Sequence, residues 1–94
     1  SKSAQLNMVR NLSTQLGCHG ITINNLAPGV IATCRNEEVL ADTDFIESIL
    51  KNIPLGFVGN PNDLAATALL LCSDAGRYIT GGDYCVDGGM SLPC

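Results

Sequence analysis

The sequence predicts an α/β fold with the order helix, strand, irregular segment with a short helix, helix and strand. Apolar residues at helical spacing predict the helices, and short apolar runs between turn residues predict the strands. The first helix leads through a glycine turn into a strand, which is half of a β-α-β unit. A chain of 94 residues is long enough for one domain at most. We therefore expect residues 1–94 to belong to a single domain.

The first helix is predicted over residues 4–16, where apolar residues trace one helical face. These residues are Ala4, Met8, Val9, Leu12 and Leu16. Gly17, with Gly20 three residues later, is typical of a left-handed C-terminal cap. No start signal precedes the pattern, so we expect the helix to begin upstream of Ser1. Residues 21–26 follow as the first predicted strand, because they are rich in β-branched side chains and end before a Pro-Gly pair.

The second half of the chain contains two predicted helices and a strand. Residues 30–44 are irregular and polar, and Asp42 or Thr43 caps a short helix. Its apolar residues are Ile46, Ile49, Leu50 and Ile53. Asn60 and Pro61 are a strong start for the next helix. This helix continues through Cys72 and is apolar on nearly all sides, so we expect other parts of the protein to cover it on more than one side. The last strand is predicted over residues 83–86, before Asp87-Gly88-Gly89.

Composition excludes several classes of protein. The formal net charge is −4 and no basic patch is present, so we expect no nucleic-acid partner. No apolar run approaches the roughly 18 residues that span a membrane. No signal peptide is visible within residues 1–94. The localisation that we expect is cytoplasmic, in keeping with free thiols in a reducing compartment.

The five cysteines are odd in number and show no CxxC spacing. They are Cys18, Cys34, Cys72, Cys85 and Cys94. A disulfide framework, a metal site or a redox module is one interpretation. Free thiols in a reducing compartment are the interpretation that we favour, with no metal bound. Cys72 and Cys85 lie in apolar runs and should pack as small hydrophobic side chains, whereas the lone His19 is expected to be a solvated turn residue.

Residues 28–33 are the candidate binding segment. The Pro28-Gly29 turn falls at the carboxyl end of the first predicted strand, where open α/β sheets bind ligands. Gly29 would allow close approach of backbone to a ligand. Main-chain groups of Val30 and Ile31, with the hydroxyl of Thr33, would then bind an amide or a phosphate. The chain contains none of the glycine spacings that cradle a pyrophosphate.

Three blocks in order resemble the C-terminal region of the classical short-chain dehydrogenase/reductase family. Ser1-Lys2-Ser3-Ala4 resembles the end of a Tyr-x-x-x-Lys motif. Residues 23–33, "INNLAPGVIAT", resemble a Val-Asn-x-Ile-x-Pro-Gly-x-Ile-x-Thr segment, and residues 53–89 resemble a block that ends "YITGxxxxVDGG". The resemblance covers nearly the whole chain and implies the C-terminal part of a doubly wound Rossmann-type parallel sheet.

The resemblance also implies the site residues and an NAD or NADP cofactor. Lys2 matches the active-site lysine, which binds the nicotinamide ribose and lowers the pKa of a tyrosine four residues earlier. Pro28, Gly29, Ile31 and Thr33 match positions that contact the nicotinamide carboxamide and the cofactor phosphates. Asn24 matches a structural asparagine. Tyr78 and Tyr84 match other positions and do not replace the tyrosine.

The chain differs from the usual family sequence at two positions, and the resemblance also implies how subunits assemble. Phe57 stands where the family usually has arginine, and Asn62 stands where it usually has glutamate. Residues 34–53 correspond to a variable segment that closes over the substrate. The helix over residues 61–73 and the strand over residues 83–87 correspond to elements that pair subunits, which implies a homotetramer.

The expected parent protein is therefore an NAD(P)-dependent oxidoreductase acting on a small alcohol or ketone. Its candidate subgroups are 3-oxoacyl reductases and sugar or polyol dehydrogenases. Residues 1–94 alone are expected to be inactive. The alternative is a non-catalytic fragment that contributes only subunit-pairing elements.

Overall fold

The computed structural model describes residues 2–91, and their elements follow the predicted α/β order. The helices are α1 (Lys2–Leu16), α2 (Glu37–Leu40), α3 (Thr43–Leu50) and α4 (Pro61–Cys72). The strands are β1 (Asn25–Pro28) and β2 (Asp83–Val86). Ser1 of the first motif and the predicted free thiol of Cys94 lie outside the described residues.

Strands β1 and β2 form a parallel pair. The N–H of Asn25 donates to the Gly82 carbonyl (2.9 Å), and the N–H of Gly29 donates to the Val86 carbonyl (3.0 Å). The acceptor advances by four residues when the donor does, which is the register of parallel strands. The parallel sheet expected from the sequence is therefore present in this pair.

The prediction of β1 over residues 21–26 was wrong by several residues. Before Asn25, side-chain hydrogen bonds and a main-chain bond from the Gly81 N–H to the Ile23 carbonyl (2.8 Å) take the place of a regular ladder. Ile23 donates its N–H to Oγ1 of Thr80 (3.0 Å), and Nδ2 of Asn24 donates to the Ile79 carbonyl (3.0 Å). The β-branched run is therefore held beside the chain that leads into β2 without pairing as a strand.

The glycine that ends α1 is Gly20 rather than Gly17. Residues Gly17–His19 continue as a 3-10 turn, and Gly20 takes the left-handed conformation with φ 72°. Its N–H donates to the Gly17 carbonyl at 3.0 Å. The last turn tightens before the chain reverses, so the left-handed position falls three residues later than predicted.

Contacts divide the chain into two compact units. The first contains residues 2–27 and 66–84, and the second contains residues 28–65 and 85–91. Val9 is the buried hydrophobic side chain of the first unit, with 5% of its surface exposed. Ile53 is the buried hydrophobic side chain of the second unit, with 3% of its surface exposed. Ile53 was predicted on the face of α3 but follows the helix, which ends at Leu50.

Residues 30–44 are more regular than predicted. A 3-10 turn at Cys34–Asn36 leads directly into α2. Thr33 and Asn36 form a reciprocal capping box that starts this turn. Asp42 caps α3 as predicted, because its carboxylate accepts the N–H groups of Asp44 and Phe45.

Helix α4 begins at Pro61 as predicted and ends at Cys72, one residue before the expected end. Its residues are half-buried or exposed, and Leu69 and Leu70 are 70% and 43% exposed. Cys72 and Cys85 are also exposed, so their expected packing as hydrophobic side chains was wrong. Strand β2 covers Asp83–Val86, as predicted from the sequence pattern. Among residues 2–91, no helix has the length and apolar character needed to cross a bilayer.

Candidate functional site

The segment that follows β1 is fixed by main-chain hydrogen bonds within the second unit. Ile31 and Gly59 form an isolated parallel bridge. In this bridge, Gly59 donates its N–H to the Val30 carbonyl (3.1 Å), and Ala32 donates to the Gly59 carbonyl (2.8 Å). The candidate binding segment is therefore an ordered continuation of the strand end, where ligands bind in open α/β sheets.

Two main-chain donors of this segment remain available. The N–H groups of Val30 and Ile31 have no acceptor among residues 2–91, while their neighbours on both sides do. Both residues are half-buried. A half-buried N–H that lacks a partner favours an acceptor such as an amide oxygen or a phosphate.

Gly29 is required by the chain itself. A Cβ placed on this residue would lie 2.5 Å from the Cβ and 2.7 Å from the Cα of Asp87. The expected reason for glycine was close approach by a ligand. The contact with Asp87 is a separate reason that holds without any ligand.

Thr33 is held by Asn36, a residue that the sequence interpretation missed. Asn36 Oδ1 accepts the Thr33 N–H at 2.8 Å and the Thr33 hydroxyl at 3.2 Å. Asn36 Nδ2 donates to the Ile31 carbonyl at 2.7 Å. The Thr-x-x-Asn spacing was the available signal, since a capping box needs a polar side chain three residues after Thr. The Thr33 hydroxyl oxygen can still accept a hydrogen bond on its other side.

Two cavities adjoin the candidate segment within the second unit. The first has a volume of about 230 Å³ and a mainly apolar wall, formed by Val30, Ile31, Leu55, Phe57, Gly59, Asp63, Val86, Asp87 and Gly88. The second has a volume of about 640 Å³ and is lined by Ala32, Thr33, Cys34, Glu37, Leu40, Ala41 and Pro61. The larger volume lies in the range of small-molecule sites, and Thr33 and Glu37 supply its polar groups.

Lys2 begins α1 and belongs to the first unit, whereas Pro28, Gly29, Ile31 and Thr33 belong to the second. Its side chain is exposed and makes no hydrogen bond or ion pair with residues 3–91. Tyr78 is 99% exposed, and the Tyr84 ring lies against Gly82. Within the described part of the chain, no three His, Cys, Asp or Glu side chains group as metal ligands would.

Comparison with known proteins identifies the family. Residues 1–91 match the family model described as enoyl-(acyl carrier protein) reductase. A tropinone reductase homolog of Arabidopsis thaliana is 39% identical over 98% of this chain, and an L-rhamnose 1-dehydrogenase (NAD(P)(+)) of Azotobacter vinelandii is 40% identical over 96%. The chain belongs to the short-chain dehydrogenase/reductase family.

Solved structures agree with this assignment to the short-chain dehydrogenase/reductase family. A 4-hydroxyisoleucine dehydrogenase complexed with NADH is 30% identical and superposes with a TM-score of 0.90 over 99% of this chain and 38% of its own. A short-chain type dehydrogenase/reductase from Mycobacterium ulcerans is 30% identical with a TM-score of 0.88, over 97% of this chain and 33% of its own. The Rossmann-like α/β fold is that of these enzymes.

The match covers only part of each family member. The chain spans 30% of the Arabidopsis relative and 35% of the Azotobacter relative. The relatives are named as dehydrogenases and reductases. One of the solved structures contains NADH, and the name of one relative specifies NAD(P)(+) as its cofactor. The expected cofactor class, NAD or NADP, is confirmed for these members of the family.

Proposed function

We propose that residues 1–94 form the C-terminal third of a single Rossmann-type domain in an NAD- or NADP-dependent oxidoreductase. The parent protein interconverts an alcohol and a ketone by hydride transfer. The order of the three motif blocks supports this placement, and the chain covers about a third of the length of its relatives. The observation that carries the proposal is the pair of unpartnered N–H groups of Val30 and Ile31 at the strand end.

The proposed site residues divide the work between cofactor binding and proton transfer. Ile31 donates its N–H to the nicotinamide carboxamide, while Pro28 and Gly29 shape the turn that faces it. The Thr33 hydroxyl oxygen accepts a hydrogen bond from the amide nitrogen of the carboxamide, since its own hydrogen is donated to Asn36. The exposed ammonium of Lys2 binds the ribose and lowers the pKa of a tyrosine four residues earlier. A phenol with a lowered pKa can exchange a proton with the substrate oxygen near neutral pH.

The proposed substrate is a small alcohol or ketone of the 3-oxoacyl, sugar or polyol class. The cavity beside Thr33 has a volume of about 640 Å³, which is sufficient for such a molecule. Helix α2 and the capped turn before it line this cavity and belong to the stretch that corresponds to the variable segment of the family. Names of relatives such as the L-rhamnose dehydrogenase agree with the sugar class.

The assembly is proposed to be a cytoplasmic homotetramer paired through the helix over residues 61–73 and the strand over residues 83–87. The exposed Leu69 and Leu70 support this, because α4 presents apolar surface that a second subunit would bury. The same surface favours the alternative function, a non-catalytic fragment that supplies only these pairing elements. The proposal includes no nucleic-acid partner and no membrane partner.

Cofactor titration and turnover separate the two functions. The full-length natural protein that contains residues 1–94 is titrated with NADH and NADPH and assayed with ketones of the three classes. We expect micromolar binding of one cofactor and turnover of at least one ketone. Thr33→Val should weaken cofactor binding, whereas Thr67→Val on α4 should not. A full-length protein that binds neither dinucleotide contradicts the oxidoreductase proposal and leaves the assembly role.

The isolated chain gives the complementary test. We expect residues 1–94 alone to be inactive and to bind neither cofactor tightly, because the tyrosine partner of Lys2 is not among them. Micromolar binding of NADH or NADPH by the isolated chain would contradict this part of the proposal.

A further inference from the structure

Asp87 organises the turn that follows β2. Its Oδ1 accepts the Gly89 N–H at 2.9 Å, and its Oδ2 accepts the Ser91 N–H at 3.1 Å. The Asp87 carbonyl also accepts the Met90 N–H at 3.2 Å. Both carboxylate oxygens therefore bind the main chain of residues 88–91, which makes the turn dependent on this one side chain.

The turn is anchored on the buried part of the second unit. Gly88 has a left-handed backbone with φ 67°, and a Cβ at this residue would lie 2.7 Å from Cγ2 of Ile53. Ile53 is 3% exposed. The Gly88 carbonyl accepts the Leu55 N–H at 3.1 Å. Packing and a hydrogen bond thus hold the turn against residues 53–55.

Gly29 rests directly on the residue that begins this turn. A Cβ on Gly29 would lie 2.5 Å from the Asp87 Cβ and 2.7 Å from its Cα, so Asp87 packs against residue 29 too closely for any side chain there. The Gly29 N–H donates to the Val86 carbonyl at 3.0 Å. Any shift of Asp87 must therefore move Gly29, since the contact leaves no gap to absorb it.

We propose that Asp87 is a positioning residue for cofactor binding, because its carboxylate holds the turn on which Gly29 rests. The carboxylate thereby determines where the free N–H groups of Val30 and Ile31 meet the nicotinamide carboxamide. Asp87 does not touch the cofactor in this arrangement. The inference rests on the proposed function, and it names a residue that acts through the Pro28-Gly29 turn.

The test is Asp87→Asn in the full-length protein. The amide keeps one acceptor oxygen but places an NH₂ group where the other oxygen accepted an N–H, while the Cβ contact with Gly29 stays. The cofactor KM is measured together with kcat/KM for the cofactor and for its thionicotinamide analogue. That analogue keeps the amide nitrogen but has a sulfur atom, a weaker hydrogen-bond acceptor, in place of the carbonyl oxygen. Asp74→Asn is the matched control, because the Asp74 side chain is exposed and makes no hydrogen bond with the described residues.

We expect Asp87→Asn to raise the cofactor KM about two- to tenfold, the range for loss of one hydrogen bond. The preference for the natural cofactor over the analogue should fall by a similar factor. Asp74→Asn should leave both quantities at wild-type values. A merely structural role would lower activity with both cofactors by the same factor, so an unchanged preference overturns the inference.

Failure of the two proposals gives different results. If the wild-type protein uses no nicotinamide cofactor, the proposed function fails and the positioning role with it. If the wild-type protein is active and Asp87→Asn matches it in KM and preference, only the positioning role fails. Should Asp87→Asn not fold, Ser91→Pro deletes the donor to Oδ2 without changing Asp87. It should shift KM and preference in the same direction, and wild-type values would again overturn the inference.

Discussion

The Oδ1 atom of Asn24 accepts a hydrogen bond from the N–H of Gly82 at 3.0 Å. The other end of the same amide donates from Nδ2 to the Ile79 carbonyl at 3.0 Å. One half-buried side chain thus binds the main chain on both sides of the turn that leads into β2. The parallel pairing of β1 with β2 begins at the next residue, where Asn25 donates its N–H to the Gly82 carbonyl.

Asn24→Ala should destabilise the protein. The change leaves the Ile79 carbonyl and the Gly82 N–H without their partner, which costs about 1–3 kcal/mol of the free energy of unfolding. Urea denaturation measures the loss. Asn11→Ala is the control, because Asn11 is exposed on α1 and its side chain makes no hydrogen bond with the described residues. Equal stability of the two variants would contradict the bracing role of Asn24.

Gly29→Ala should be costly, although the new side chain is a single methyl group. Its Cβ would lie 2.5 Å from the Cβ of Asp87, and overpacking of this kind costs about 1–3 kcal/mol. Gly17→Ala introduces the same methyl group at a position with no heavy atom within 4 Å. We expect Gly17→Ala to be neutral or slightly stabilising, because alanine reduces the entropy of the unfolded chain. Thermal unfolding of both variants is the measurement, and a neutral Gly29→Ala would contradict the close contact.

Asp42→Ala should weaken α3. The Asp42 carboxylate accepts the N–H groups of Asp44 (3.1 Å) and Phe45 (3.3 Å), and loss of such a cap costs about 1 kcal/mol. Asp44→Ala removes an exposed carboxylate from the same first turn without removing the cap. Hydrogen exchange of the α3 amides should accelerate more in Asp42→Ala than in Asp44→Ala. Faster exchange in Asp44→Ala than in Asp42→Ala would show that the interaction of the Asp44 charge with the helix dipole stabilises α3 more than the Asp42 cap does.

Lys2→Met should reduce turnover in the full-length oxidoreductase. The variant keeps the length of the side chain and removes the ammonium that lowers the pKa of the tyrosine, and loss of acid–base catalysis lowers kcat about 10²–10⁴-fold. Arg10→Met removes a positive charge from an exposed position on the same helix and should leave kcat unchanged. The activity of Lys2→Met should recover partly at higher pH, where the tyrosine ionises without help. Equal kcat values for the two variants would remove Lys2 from the proposed site.

Elements whose determinants are local in sequence were predicted well. The start of α4 depends on Asn60 and on its near neighbours. Asn60 Oδ1 accepts the Asn62 N–H at 2.9 Å, and the Asp63 carboxylate accepts the Asn60 N–H at 2.7 Å. The cap of α3 by Asp42 is equally local. Such contacts lie within three residues, so their spacing can be read from the sequence.

The elements that were misplaced depend on distant partners. The β-branched residues before Asn25 would suit a strand, but the acceptor of the Ile23 N–H is the Thr80 hydroxyl, 57 residues away. Strand propensity cannot reveal that acceptor, because propensity depends only on a residue and its neighbours in the sequence. The exposed Cys72 and Cys85 were also misjudged, since an apolar run does not say which face is covered.

By itself, the sequence determined the α/β order, the starts of α3 and α4, the family resemblance and the candidate residues Lys2, Pro28, Gly29, Ile31 and Thr33. Only the tertiary structure decided that Gly29 rests on Asp87. It also decided which main-chain donors of the strand end remain free. Spacing along the chain encodes local hydrogen bonds and helical faces. Close packing between segments more than fifty residues apart depends on how the chain folds back, and no local pattern records it.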